Sequence, residues 1–305
     1  MIFEIGEEDI PKLEAVAQDY VQNHHDESLT LDRIINYLKQ VISSGGVYVM
    51  GHKTNEMVDG FILMQKHGEI SAYHVKADNE ETRADIERLL FSSAIDKLKD
   101  SVEAITYSDS KGISSLRSIF EEAEFESYDR ASMYVSKEDI KFPEERNLPE
   151  EYELTDFSLN MNVDLAEVVY DANKGQVDSK IYHKYFGSEK NAEMFVEKFA
   201  GGAFGKYKEG LAKVILYKSQ PVAACFMVLA TQKTAAVSEL AVGSKHKRKG
   251  LGTKVLVESI KTSFELPDVE EIGLHVTLSN PAKQMYDKFG FIERYQYTIY
   301  VKNFT

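Results

Sequence analysis

Val242-Gly243-Ser244-Lys245-His246-Lys247-Arg248-Lys249-Gly250-Leu251-Gly252, followed by an apolar-periodic run over residues 253–264, decides how this chain of 305 residues is read. Alternation over 235–242 predicts a hydrophobic strand, and the 3.6-residue spacing after Gly252 predicts a helix. Between them lies a turn crowded with Lys245, Lys247, Arg248 and Lys249. Gly250 and Gly252 open the helix without side chains that would hold an anion away from the backbone. Unpaired N–H groups and the positive end of the helix dipole meet at that point. So much positive charge in one turn suits a ligand carrying phosphates on both a diphosphate and a ribose.

Coenzyme A is such a ligand, and the downstream sequence strengthens the reading. After a second strand at 272–277 come Asn280-Pro281-Ala282, then Tyr286 and Gly290-Phe291. This order, with Lys247-Arg248-Lys249-Gly250-Leu251-Gly252 in place of a Gln/Arg-x-x-Gly-x-Gly/Ala signature, resembles the GNAT superfamily of acyl-CoA N-acyltransferases. Lys247 stands where the family usually has Gln or Arg; it keeps the charge and loses a planar contact. The resemblance implies a cofactor site along Leu240, Ala241 and Val242, through Lys247, Arg248, Lys249, Gly250, Leu251, Gly252 and Thr253, to Asn280. It also implies that the strand before the basic turn splays from its neighbour, so that a backbone N–H near Val242 faces the thioester oxygen. Tyr286 is the implied general acid for the departing thiolate. Glu239 is the candidate base, directly or through water, with His275 a further candidate.

Composition bounds the function. Cys225 is the single cysteine, within the apolar run 221–229, and reads as a small core residue. No run of about 18 apolar residues occurs and the N-terminus has no basic leader, so a soluble, cytoplasmic protein is expected. The net charge of −14 is uneven: residues 1–150 carry 16 Lys/Arg against 31 Asp/Glu, leaving 20 against 19 for residues 151–305. So acidic a first half argues against nucleic acid or an anionic membrane as partner and favours a cationic one. His24-His25 invites a metal reading, but neighbouring histidines diverge and no second cluster accompanies them; no metal is expected.

Both halves read as one series of elements. The first has a strand at 2–5, helices at 7–20 and 30–41, strands at 47–50, 57–65 and 69–75, a helix at 82–99, a strand at 104–107, a helix at 114–123 and a terminal strand or hairpin at 125–135. The second repeats them from 152 to 301. Setting Phe125 on Phe291 gives an offset of about 166 residues, the mark of two diverged copies. With Val75 set on Val242, Gly250 and Gly252 fall on Arg83 and Asp85, and the basic turn becomes residues 76–81, Lys-Ala-Asp-Asn-Glu-Glu. Tyr286 falls on Phe120 and Asn280 on Ser114, so the first copy reads as catalytically silent. Pro143 and Pro149 mark a linker.

The expected fold is therefore α/β (α+β): two GNAT-like domains, each a mixed, mostly antiparallel twisted sheet flanked by helices. A degenerate domain takes 1–140, a linker 141–150 and an active domain 151–305. The aromatic segment at 182–186 falls where the resemblance puts the acceptor side. The expected activity is acetyl transfer from acetyl-CoA to a primary amine, a small cationic molecule or a peptide; the alternative is a non-catalytic acyl-CoA sensor or scaffold. A homodimer is left open.

Overall fold

The computed structural model describes residues 1–23, 29–109, 114–144 and 147–304; the His24-His25 pair lies outside them. The first half of the chain forms β1 (Ile2–Glu4), α1 (Glu14–Asn23), α2 (Leu31–Ser43), β2 (Val47–Thr54), β3 (Met57–Gln65), β4 (Glu69–Val75), α3 (Glu80–Leu98), β5 (Ala104–Asp109), α4 (Ser114–Glu122) and β6 (Glu126–Ser136). The second forms β7 (Tyr152–Asp156), α5 (Asn162–Asn173), the short α6 (Val177–Ile181) and α7 (His183–Phe186), α8 (Glu189–Ala200), β8 (Lys213–Tyr217), β9 (Gln220–Leu229), β10 (Thr234–Val242), α9 (Leu251–Phe264), β11 (Glu271–Thr277), α10 (Ala282–Lys288) and β12 (Ile292–Asn303). The expected helix at 7–20 is shorter: Pro11, which has no N–H to give, sits in a 3₁₀ segment, Glu7–Leu13, and α1 starts only at Glu14.

Contacts divide the chain into two compact units, Met1–Ser127 with Thr298–Thr305, and Tyr128–Tyr297. This differs from a split at 141–150, and strand pairing is the reason. In the second unit β6 lies antiparallel to β11, from Arg130 opposite Thr277 to Ser136 opposite Glu271. In the first unit the end of β12 lies antiparallel to β5, from Thr298 opposite Asp109 to Asn303 opposite Ala104. Each half of the sequence thus sends its last strand to complete the other unit.

Within the first unit the strands run β1-β2-β3-β4-β5, antiparallel except that β4 and β5, joined by α3, are parallel. The second unit runs β6-β11-β10-β9-β8-β7, again antiparallel except for β10 and β11 across α9. The central strands are apolar on both faces because helices cover both. On β3, Phe61 and Leu63 join the core under α1 and α2, while Ile62 and Met64 join the core under α3 and α4. On β9, Ala223, Cys225 and Met227 face α9, and Ala224, Phe226 and Val228 face α5 and α8.

Candidate active site

In the second unit the parallel ladder between β10 and β11 runs only from Thr234 opposite Glu271 to Ala236 opposite Gly273. A bulge then shifts β10 between Val237 and Glu239 in its pairing with β9. A bulge bends a strand and re-aims its side chains. Beyond it, Leu240 and Val242 line a cleft of about 480 Å³. The expected divergence of these two strands is therefore present.

The basic turn closes one side of the cleft. Arg248 (φ 65°) and Gly250 (φ 80°) both adopt left-handed backbone conformations around Lys249. Among the described residues no side chain caps the start of α9 at Gly250. Asp171 holds the turn from below, its Oδ2 accepting from Ser244 N at 2.6 Å. A Cβ on Gly250 would meet nothing within 4 Å, whereas one on Gly252 would come within 3.2 Å of Val242 Cγ2. A bare, positively charged helix start of this kind fits a diphosphate, and the residues present fit coenzyme A.

Most of the expected cofactor residues meet here. Leu240, Val242, Lys247 and Arg248 line the cleft, as do Gly250, Leu251, Gly252, Thr253 and Asn280. Two do not. Ala241, fully buried, points to the α5 and α8 core because strand side chains alternate. Lys249 turns its Nζ to Tyr152 Oη at 2.8 Å, on which His246 Nδ1 also sits at 3.0 Å. Asn280 bridges two elements: its Nδ2 donates to Asp178 Oδ2 at 3.2 Å and its Oδ1 accepts from Ala282 N at 2.9 Å.

Glu239 lines the cleft, and Asn173 Nδ2 donates to its Oε1 at 3.1 Å. Burial and the charge of Asp178 raise this carboxyl to about 7, against the Asn173 hydrogen bond and the Arg130 charge, which lower it. A carboxyl poised near neutrality suits a general base. Tyr286 is only 6% exposed, its ring 5.8 Å from that of Phe291, and it is not among the side chains lining the cleft. Burial, then the charges of Cys225, Glu239 and Asp178, push its phenol well above the ordinary value, so it keeps its proton. His275 is not among the residues lining the cleft, and Tyr297 Oη lies 3.0 Å from its Nδ1. Cys225 is wholly buried and its thiol is pushed up to about 12, as a core residue requires.

Sequence reasoning missed two residues here. Asp178, on α6, lines the cleft, and Arg130 Nη1 donates to its Oδ1 at 2.7 Å. The available signal was Arg130 itself, a lone cation leading the alternating Ala131, Met133 and Val135. Among the described residues no group of three or more His, Cys, Asp or Glu is placed to hold a metal ion, and no helix is long and apolar enough to cross a membrane.

Residues 179–291 match the sequence model of the Acetyltransferase (GNAT) family, and this part of the chain is a GNAT domain, a fold that supports acyl transfer from acyl-CoA. No curated protein matches in sequence. Among solved structures, a GCN5-related N-acetyltransferase from Sphaerobacter thermophilus is similar over 100% of this chain and 95% of its own, at 11% identity and TM-score 0.59. A tandem GNAT protein from the clavulanic acid biosynthesis pathway is similar over 100% and 98%, at 10% identity and TM-score 0.56. A glucosamine N-acetyltransferase region of a fungal multi-domain GH3 β-N-acetylglucosaminidase reaches TM-score 0.63 at 11% identity, over 99% of this chain and 38% of that one. At such identities the likeness is one of fold.

Proposed function

We propose that the protein transfers an acetyl group from acetyl-CoA to a primary amine, at one site in the second unit. The observation that carries this reading is a single cleft lined by both the uncapped, Gly250-led start of α9 and the neutral-poised carboxyl of Glu239. The α9 start and the Lys247 and Arg248 charges hold the diphosphate and ribose phosphates. The N–H edge of β10 near Val242, beyond the end of the β11 ladder, stabilises charge growing on the thioester oxygen. Glu239 takes one proton from the incoming ammonium, the freed nitrogen attacks the thioester carbon to form the C–N bond, the adduct gives its second N–H proton to solvent, and the C–S bond breaks. Tyr286 gives its proton to the thiolate and regains one through solvent. Net, an ammonium and a thioester become an amide, a thiol and one proton.

The site belongs to a protein working in the cytoplasm on a small cationic amine or a peptide N-terminus, with no nucleic-acid or membrane partner. The test is thiol release from acetyl-CoA across an amine panel. The proposal expects turnover with at least one amine; tight acyl-CoA binding with no release for any amine would point instead to a sensor or scaffold.

A further inference from the structure

The cleft is divided by charge. His246, Lys247 and Arg248 line it with the α9 start, and Asp178 and Glu239 line it beside the side-chain amides of Asn173, Gln176 and Asn280. Proton transfer falls to Glu239 and Tyr286; Asp178, whose charge raises the Glu239 carboxyl and which accepts from Asn280 Nδ2, takes no proton in it. Its surroundings are elaborate for such a carboxylate. Arg130 is 4% exposed and spreads its donors over Asp178 Oδ1 (2.7 Å), Thr277 Oγ1 (2.8 Å), Tyr297 Oη (3.2 Å) and His275 O (3.3 Å). Its guanidinium also lies 5.1 Å from the ring centre of Tyr182. Burying a guanidinium so far from water is unfavourable unless pairing and hydrogen bonds compensate. The Asp178 side chain, 20% exposed, keeps its open face toward the cleft. The pair is thus an oriented dipole with the negative end presented to the substrate and the positive end sunk in the fold.

We propose that Asp178 is the specificity-determining residue for the acceptor, docking a second cationic centre of a diamine-like substrate while its other nitrogen reacts at Glu239. Arg130 is the positioning residue that fixes it. This assignment rests on the acyl-transfer reading above and extends it to a substrate class. Both residues lie outside the segment that matches the family, 179–291. Arg130 comes from β6, the last strand of the first half, so that half supplies part of the acceptor site even though its own helix start is acidic.

The test uses the full chain, acetyl-CoA, and a series of α,ω-diamines beside monoamines of equal length, with thiol release as the readout. The wild type should favour the best diamine over its monoamine by about 10- to 100-fold in kcat/KM, the scale of one charged hydrogen bond. Asp178→Asn should erase that preference, raising the KM of the diamine by about 10- to 100-fold more than that of its monoamine, whereas the loss of its charge beside Glu239 and Asn280 shifts both amines alike. Arg130→Lys, which keeps the cation but loses the fork, should fall between, whereas a merely structural role would move every parameter together. An unchanged diamine preference in Asp178→Asn overturns the assignment alone. If that variant does not fold, a wild-type ratio near one overturns it equally. No thiol release with any amine overturns the acyl-transfer reading and this assignment with it, a result distinct from turnover without discrimination.

Discussion

Helices α3 and α9 follow the same strand of the repeat and begin in opposite ways. At α3, Asn79 Oδ1 accepts from Thr82 N at 2.9 Å, and Glu80 and Glu81 fill the first turn. That start is complete in itself: the cap stabilises it by about 1 kcal/mol and the carboxylates answer the dipole. At α9 neither device is present, and the turn before it carries cations. The connections differ too, residues 76–79 against residues 243–250, so the first half has half the length in which to build a cradle. Counting from the caps, Gly250 and Gly252 answer to Asn79 and Glu81, one helical turn away from the Arg83 and Asp85 that strand alignment gives. The fold is thus kept in both halves while the two helix starts differ in the charge they would accept.

The first half has also closed the space where its partner is open. Phe120, the counterpart of Tyr286, stacks on Tyr300 at 4.2 Å and on Tyr107 at 5.4 Å, and packs edge-on to Phe91 at 4.9 Å. Its β4 and β5 pair only at Glu69 with Thr106 and Ile70 with Tyr107, so the strands part there as well. The rings of Tyr73 on β4 and Tyr107 on β5 pack edge-on to each other and to Phe91. Splayed strands alone, then, do not make a site.

Substitutions can break this contrast by degrees. The largest effect is expected from Gly252→Glu, which gives α9 the acid that α3 carries and puts a Cβ within 3.2 Å of Val242 Cγ2. Affinity for acetyl-CoA, measured by calorimetry, should fall by at least about 100-fold through like-charge repulsion. Tyr286→Phe installs what Phe120 already is; turnover should drop by about 10²- to 10⁴-fold with acetyl-CoA affinity kept, as loss of a general acid predicts. Equal turnover would remove Tyr286 from the chemistry.

Glu239→Gln sharpens the comparison through pH. With the folded carboxyl raised to about 7, its basic form fills as pH rises through 7, and kcat/KM should rise over the same range; the Gln variant should lose that limb. The sign for stability is opposite. A carboxyl whose folded value lies above its ordinary 4.5 contributes stability at low pH that is lost as pH rises through about 7. Thermal unfolding should therefore show Glu239→Gln gaining on the wild type between pH 5 and pH 8. The smallest effect belongs to Lys249→Met, because its ammonium is turned to Tyr152: acetyl-CoA affinity should change by less than about threefold, against about tenfold for Arg248→Met.

Much of this was legible in the sequence. Periodicity gave the strands of both halves, since buried strands such as β3 and β9 are apolar throughout, and the Gly250-Leu251-Gly252 turn announced the helix start. The pairing of β6 with β11 was not legible, because a ladder partner is a tertiary choice that a strand's own residues do not encode. The helices α6 and α7 are too short for a 3.6-residue period to show, and Asp178 was missed with them. Lys249 and Ala241 read as cofactor residues by position; side-chain direction, which one sequence does not reveal, turns both away.

On the proposed function, the start of α9 binds the acyl-CoA and that of α3 does not. Calorimetric titration of the full chain with acetyl-CoA, on the wild type and on Gly252→Glu, tests it most directly. One site per chain, lost in the variant, is the predicted result. Two sites of comparable affinity in the wild type, or one that survives Gly252→Glu unchanged, would contradict it.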